Sequence, residues 1–422
     1  MYKGEVEIPP LGMVDDLICV SECGYKTTML NSFIQFKTNV KKLQFGIEKC
    51  KKMHVGKDYQ EYNCQTLSID SWKEVEVIDD ETGIGKWEDI YTGKENMEQI
   101  ENEKYLGDVV SNDGRNIKNI KTRVNKGIGI VNKIISMLDA IPFGSHYFEI
   151  ALVLRSSLLT SSMLCNSESW YNVTVPEMKL LETVDIMLLR KILKAPKSTP
   201  IEMLYLELGC IPYQELIQKR RLMFLHYILQ EDPKSMIAKF FETQRKNPTR
   251  KDWVTMVTND LKELKIDLKF EDLKGMKKNE FRTMVKTKIE NKAIEKLEQR
   301  KKSHSKVSHI THGFLTMQTY LKPNRIQVSK EERQLIFKLR SRVTEVKMNF
   351  KTKYEDLNCK TCNMEEETQK HVLECSEIDK KEPKSKCSLN YNKLFNGDIE
   401  DKVLIARSFR KRMEIRENYG KV

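Results

Sequence analysis

From residue 116 onward the apolar positions recur at helical spacing. Ile117, Ile120, Val124, Ile128, Val131, Ile135 and Leu138 are separated by 3, 4, 4, 3, 4 and 3 residues, the repeat of one face of an amphipathic helix. Pro142 is expected to end that helix, because proline has no N–H to donate. Further helices fit 145–166, 176–194, 212–230 and the highly charged stretch Lys277–Lys302. Before residue 116 the pattern is mixed. Met29, Leu30, Phe33, Ile34 and Val40 fit one helical face. Leu17-Ile18-Cys19-Val20 is a short apolar run. Met53-His54-Val55, Leu67-Ser68-Ile69 and Tyr105–Val110 read as strands, the last closed by a turn at Asn112-Asp113-Gly114. Asp79–Lys94 reads as an acidic, turn-rich loop. The expected class is mainly α, with an α/β portion at the N-terminal end.

Length and composition narrow the picture. The 422 residues suggest two to four units with ample core. No apolar run approaches the roughly 20 residues of a membrane span, and the most apolar stretch, Phe148–Cys165, contains Glu149 and Arg155. The first residues, Met-Tyr-Lys-Gly-Glu-Val-Glu, hold no hydrophobic signal core. Net charge is 73 − 61 = +12, which hints at a polyanionic partner. The charge is blocked: +6 over Lys37–Lys57, −8 over Asp70–Lys104, +8 over Lys274–Lys306 and +5 over Lys402–Lys421. Each block is as readily a solvated face as a binding footprint. Of ten cysteines, three cluster near the C-terminus with a histidine among them. That usage suggests a reducing, intracellular compartment, nucleus or cytoplasm, and a metal site rather than disulfides.

Two motifs carry chemistry. Asp15-Asp16 lies between two apolar runs, a hairpin pattern with carboxylates at its tip. Adjacent carboxylates raise each other's pKa unless a cation is present, and hard oxygen ligands suit Mg²⁺. The plain alternative is an ordinary turn. The sharper motif is Cys359-x2-Cys362-x8-His371-x3-Cys375. Thiolate and imidazole ligands so spaced suit tetrahedral Zn²⁺ with no open position. His304, His309 and His312 sit in a Lys/Ser-rich segment that reads as a solvated loop. Gly83-Ile84-Gly85-Lys86 does not meet the phosphate-loop spacing, and neither a Gly-x-Ser-x-Gly elbow nor a His-Glu-x-x-His pair is present.

Met13-Val14-Asp15-Asp16-Leu17-Ile18 resembles the aromatic-Ala-Asp-Asp hairpin of reverse transcriptases. The helix that follows, and Lys41–Gly56 after it, resemble the next palm motif of non-LTR (LINE-type) retrotransposon enzymes. Lys104-Tyr105-Leu106-Gly107 is similar to their primer-grip motif, the helix from Ile117 to their thumb, and Glu367-Thr368 before His371 to their C-terminal cysteine–histidine motif. The resemblance implies a truncated palm over 1–115, a helical thumb over 116–232 and a basic helical connector over 233–350. A CCHC zinc knuckle with a basic C-terminal helix follows over 351–422. It implies Mg²⁺ at Asp15 and Asp16, Lys49 near an incoming nucleotide, and Tyr105, Leu106 and Gly107 near a primer end. It also implies Zn²⁺ at the knuckle, with an RNA template and RNA–DNA duplex as partners. Lys41, Lys42, Lys118, Lys121, Arg123 and Lys126 are the candidate phosphate contacts. The chain departs from the family in having Met13 and Val14 before the aspartates. Nothing in Met1–Val14 supplies the family's earlier palm carboxylate or its Gly-Gln-Gly-type turn. The expectation is half of a two-metal site, inactive alone, with the missing N-terminal part of the polymerase as a partner. The rival expectation is a nucleic-acid-binding remnant, or a helical scaffold with structural zinc.

Overall fold

The computed structural model describes residues 11–13, 16–20, 24–41, 47–55, 68–78, 85–141, 146–249, 252–323, 326–381 and 390–419. The chain is mainly helical and divides into two units. Met1–Thr122 with Glu231–Thr249 form the first, and Arg123–Gln230 with Arg250–Val422 the second.

The described strands of the first unit pair only in twos. β1 (Leu11–Met13) runs antiparallel to β2 (Asp16–Ile18), with Met13 opposite Asp16. Asp15 lies outside the described residues. α1 (Gly24–Val40) follows. Its Gln35 side-chain oxygen accepts the Asp70 N–H at 2.8 Å, which ties α1 to β4 (Ser68–Ile78). β3 (Lys51–Lys52) pairs in parallel with β6 (Glu98–Gln99), whereas Met53–Val55, the expected strand just after it, is not in a strand. The expected loop over Asp79–Lys94 is corrected from Gly85 onward, residues 79–84 lying outside the described residues. β5 (Gly85–Asn96) pairs antiparallel along the whole of β4, with an irregularity at Ser71/Trp72. β5 is rich in charged residues with Gly93 inside it, and backbone pairing with β4 needs no alternating apolar face, so its sequence concealed it.

The Tyr105–Val110 segment is not one strand. β7 (Asn102–Tyr105) turns through Leu106 (φ +46°) and Gly107 (φ +91°) into β8 (Asp108–Ser111). Two successive positive φ values make a two-residue hairpin turn whose twist matches the strands. The expected turn at Asn112-Asp113-Gly114 is present, with the Gly114 N–H donating to the Ser111 carbonyl at 3.0 Å. Asn119 pins this hairpin to the first turn of α2 (Ile117–Asp139). Its Nδ2 donates to Asp108 at 2.7 Å and its Oδ1 accepts the Val109 N–H at 3.3 Å.

α2 spans the predicted helix, but its buried stripe is rotated from the one the apolar spacing picks out. Ile120, Arg123, Gly127, Val131, Ile134 and Leu138 are buried, whereas Ile128 is exposed. Arg123, expected as a phosphate contact, lies in this buried stripe instead. It is 6% exposed, donates to the Ser162 carbonyl at 2.7 Å and lies 5.2 Å from the Trp170 ring centroid. Gly127 allows the close approach of this face, since a Cβ there would meet Met163 Sδ at 2.5 Å and Val184 Cγ1 at 3.0 Å. Pro142 lies outside the described residues.

The second unit is a helical assembly. The expected 145–166 helix appears as α3 (Tyr147–Leu154), a π-turn (Arg155–Thr160) and α4 (Ser161–Met163). α5 (Val175–Leu193) starts with a capping box in which Thr174 and Glu177 satisfy each other's backbone N–H. α6 (Ile201–Leu208), α7 (Tyr213–Gln230), α9 (Trp253–Glu263), α10 (Phe270–Gly275) and α11 (Lys278–Lys301) follow. α7 packs on α5, α9, α10 and α11. α8 (Met236–Lys246) belongs to the first unit. α12 (Lys330–Arg340), α15 (Lys393–Asn396) and the terminal α16 (Ile399–Asn418) complete the second.

Buried ion pairs organise this core. On α6, Glu207 is fully buried and accepts from Arg340 Nη2 at 2.9 Å and Tyr320 Oη at 2.6 Å. His312 stands between Glu207 (3.2 Å) and Glu298 (3.0 Å) and is 7% exposed. The solvated-loop expectation therefore fails for His312, because two carboxylates from distant segments draw it inside. Gly209 closes α6 at φ +66° against the Thr316–Met317 backbone, where a Cβ would lie 2.3 Å from backbone atoms. Among the described residues no helix is long and apolar enough to cross a membrane.

Candidate metal centre

The knuckle begins as a short hairpin. Asn358 and Glu366 form an isolated antiparallel bridge, and the Cys359 N–H donates to the Glu365 carbonyl at 2.7 Å. Asn363 adopts φ +54° and its N–H reaches the Cys359 carbonyl at 2.9 Å. Cys359 and Cys362 thus stand on one tight turn, with Asn tolerating the left-handed position. α13 (Gln369–Glu374) then starts under the cap of Thr368, whose Oγ1 accepts the His371 N–H at 3.0 Å. Cys375 is the C-cap of the same helix.

This brings one ligand atom from each of Cys359, Cys362, His371 and Cys375 within 4.8 Å of every other. Cys362 Sγ and His371 Nε2 are 3.3 Å apart. A tetrahedral zinc with Zn–S about 2.3 Å and Zn–N about 2.0–2.1 Å sets ligand separations of roughly 3.5–3.8 Å. The four atoms therefore need only small adjustment to share one ion. Cys359 and Cys375 are fully buried beside Ile378 and Ile415, while Cys362 and His371 are half-buried. Four protein donors would leave no position for a reacting water, so an ion held here would be structural in kind.

The electrostatics agree with a cation site. Burial, together with the charges of Cys359 and Cys362, pushes the Cys375 thiol up to about 11. Burial also acts against the Cys362 thiolate, but backbone N–H groups of Met364 and Glu365, with His371 and Cys359, outweigh it and hold the thiol at about 7. The thiolates oppose one another, and a dication in their midst removes the conflict. His371 Nδ1 lies 3.0 Å from Glu365 Oε2. The carboxylate fixes the tautomer that leaves Nε2 free to ligate, the usual support of a metal-bound histidine.

Two arginines of α16 complete the site, and sequence reasoning missed them. Arg412 is fully buried and donates to the Val372 carbonyl (2.6 Å), the Cys375 carbonyl (2.8 Å) and Asp379 (2.6 Å). Arg416 pairs with Glu367, which also accepts the Lys347 N–H at 2.9 Å and the Lys360 N–H at 3.1 Å. The C-terminal helix, expected as a basic face, is thus turned partly inward. The signal was available: Arg412 and Arg416 continue at helical spacing the buried stripe of Ile405 and Phe409.

The other candidate residues are dispersed. Of Asp16 the backbone alone is described, and Asp15 and Lys42 lie outside the described residues. Lys41 and Lys49 are exposed on the first unit. Tyr105 is half-buried, and Leu106 and Gly107 form the β7–β8 turn. Lys118, Lys121 and Lys126 are exposed along α2, with Lys118 3.8 Å from Glu101. Compared with protein-family models, with curated proteins and with solved structures, the chain matches none.

Proposed function

We propose that this chain is a nucleic-acid-binding portion of a non-LTR-type reverse transcriptase, carrying a zinc knuckle. The observation that carries the reading is the closed Cys359/Cys362/His371/Cys375 cluster at the end of a basic, helical chain. The order of elements adds support. A short hairpin bearing Asp16 is followed by α1, then by the β7–β8 hairpin with its Leu106-Gly107 turn, then by the long α2. In this reading Lys118, Lys121 and Lys126 contact phosphates of an RNA–DNA duplex, and zinc holds the C-terminal knuckle in shape. Asp15 and Asp16 hold Mg²⁺ only when the rest of a two-metal clamp is supplied.

Salt-dependent binding tests the reading. Zinc-loaded protein should bind an RNA–DNA duplex with an affinity that falls steeply between 50 and 200 mM salt, as counterion release dictates. Sequence preference should be small. Affinity that is flat with salt, or absent, overturns the reading and leaves a helical scaffold with structural zinc. The 422-residue chain itself is expected to extend no primer with Mg²⁺ or Mn²⁺. Incorporation that disappears in Asp15→Ala would show that the two acids suffice.

A further inference from the structure

Away from the metal centre, the second unit contains an open cavity of about 280 Å³. Four segments line it: Ser198 and Pro200 before α6, the turn Ser303–Lys306 after α11, Ser341–Val343 at the end of α12, and Asn349. The lining includes Lys306, Arg342 and His304, several serine hydroxyls, and neither aspartate nor glutamate. The nearest acid recorded against these groups is Glu202, 3.4 Å from His304 Nε2.

The cations here crowd one another. Burial lowers the Lys306 pKa, and Lys351 and Arg342 lower it further. His309, whose Nε2 is 3.3 Å from an Arg342 guanidinium nitrogen, is depressed by burial and then by Arg342, Lys301 and Arg340. A lysine lowered by neighbouring cations marks a positive potential that the protein itself leaves uncompensated.

The Arg342 guanidinium is held at the cavity wall by His309 Nε2 at 3.3 Å and by the Tyr391 side chain. Arg342 is held at φ +53° by N–H bonds from itself to Leu339 (3.1 Å) and from Val343 to Lys338 (3.0 Å). Its guanidinium lies 5.9 Å from the Phe395 ring centroid. The two backbone N–H bonds are the left-handed cap that closes α12, as Lys194 closes α5. Lys306 is held by Asn349 Oδ1 at 2.7 Å, which leaves its remaining N–H donors available.

We infer that this cavity is a phosphate-binding site, with Lys306 and Arg342 as the charged clamp and the lining serines Ser303 and Ser305 as further donors. A tetrahedral oxyanion offers several acceptor oxygens to donors arriving from these segments. Guanidinium and ammonium groups bind it by charge-assisted bonds. The site does not depend on the nucleic-acid reading above, since a phosphate group alone satisfies it. The source is either a backbone phosphate of a nucleic acid or a free phosphomonoester.

The experiment uses the full zinc-loaded chain with inorganic phosphate as the probe, read by titration calorimetry. Saturable binding is expected, at least tenfold weaker in Lys306→Gln and in Arg342→Gln, as loss of one charge-assisted bond implies. Lys306 is exposed, so Lys306→Gln should keep the native circular dichroism even if the Arg342 variant does not fold. No saturable binding, or equal binding by a folded Lys306→Gln, overturns the proposal. A second arm adds a short single-stranded RNA. If Lys306→Gln weakens RNA and phosphate alike, the occupant is a backbone phosphate. If RNA affinity is unchanged while phosphate binding is lost, the site stands and serves free phosphomonoesters.

Discussion

Arg416 of the terminal helix grips Glu367 of the knuckle with two bonds, Nε to Oε2 at 2.9 Å and Nη2 to Oε1 at 2.5 Å. Both residues are buried, and Glu367 is fully so. Glu367 stands between the two pairs of metal ligands, four residues before His371 and five after Cys362. Its position links α16 to the shape of the metal turn. Arg416→Ala leaves a buried carboxylate uncompensated, which typically costs about 3–5 kcal/mol. Thermal unfolding should show that loss. Glu367→Gln with Arg416→Met should cost much less than the sum of the single changes, and a double-mutant cycle measures the difference. Additive losses would mean that the pair is not coupled.

Zinc content comes next. Purified under reducing conditions, the chain should hold one equivalent of zinc by elemental analysis. His371→Ala should lose it without melting α2, whose face from Val131 to Leu138 is buried independently of the knuckle. For zinc-finger peptides metal binding supplies on the order of 10 kcal/mol of folding free energy, so chelation should open the segment 351–381 to protease. A zinc-free protein with an intact, protected knuckle contradicts the assignment.

Glu365 should tune rather than make the site. Glu365→Gln removes the carboxylate that orients His371 at 3.0 Å and should weaken zinc by about 10–100-fold. Competition with a chelator of known affinity gives the number. An unchanged affinity would remove Glu365 from the support of the metal.

Acid should attack a different place. Burial works to raise the Glu207 pKa, but Arg340 and His312 outweigh it and hold the group at about 2. The usual carboxylate value is near 4.5. The folded value is depressed, so the stabilisation is fully present above about pH 4.5 and is lost as pH falls toward 2. The amount is on the order of 3 kcal/mol. Glu207→Gln should flatten the unfolding free energy against pH across that window. An unchanged slope would assign the acid sensitivity elsewhere.

Arg123 and its lysine neighbours on α2 should part company. Arg123→Ala removes a buried guanidinium and should lower stability, leaving the Ser162 carbonyl without its donor. Lys118→Ala, Lys121→Ala and Lys126→Ala change exposed groups and should leave stability within about 0.5 kcal/mol. In the proposed function they weaken duplex binding for all sequences alike and reduce its salt slope. A stable Arg123→Ala protein with selectively lost binding would restore the expectation that Arg123 touches phosphate.

Local pattern carried the reading where spacing alone decides structure. α2, α5, α7 and α11 begin and end within a residue or two of the helices read from apolar periodicity and prolines. The metal cluster was legible because four potential ligands, three cysteines and a histidine, fall within seventeen residues and must be near one another whatever surrounds them. β5 escaped because backbone pairing by a strand rich in charged residues leaves no mark on hydropathy. The π-turn at Arg155–Thr160 escaped for a related reason. Its Arg155 pairs inside the core with Asp185 at 2.7 Å, a contact thirty residues away in the chain.

The amino-acid sequence by itself determined the mainly helical class, the long helices and the four metal ligands, since each depends on residues a few positions apart. Tertiary structure decided which charges are internal. Arg123, Arg340, Arg412 and Arg416 look in sequence like members of a basic surface, and each is buried against acceptors supplied by other elements. His312 likewise belongs to a polar loop until Glu207 and Glu298 close on it. The physical reason is the same in each case. A buried charge is tolerated only where a partner and hydrogen bonds meet it, and those partners come from segments that only the folded chain brings together.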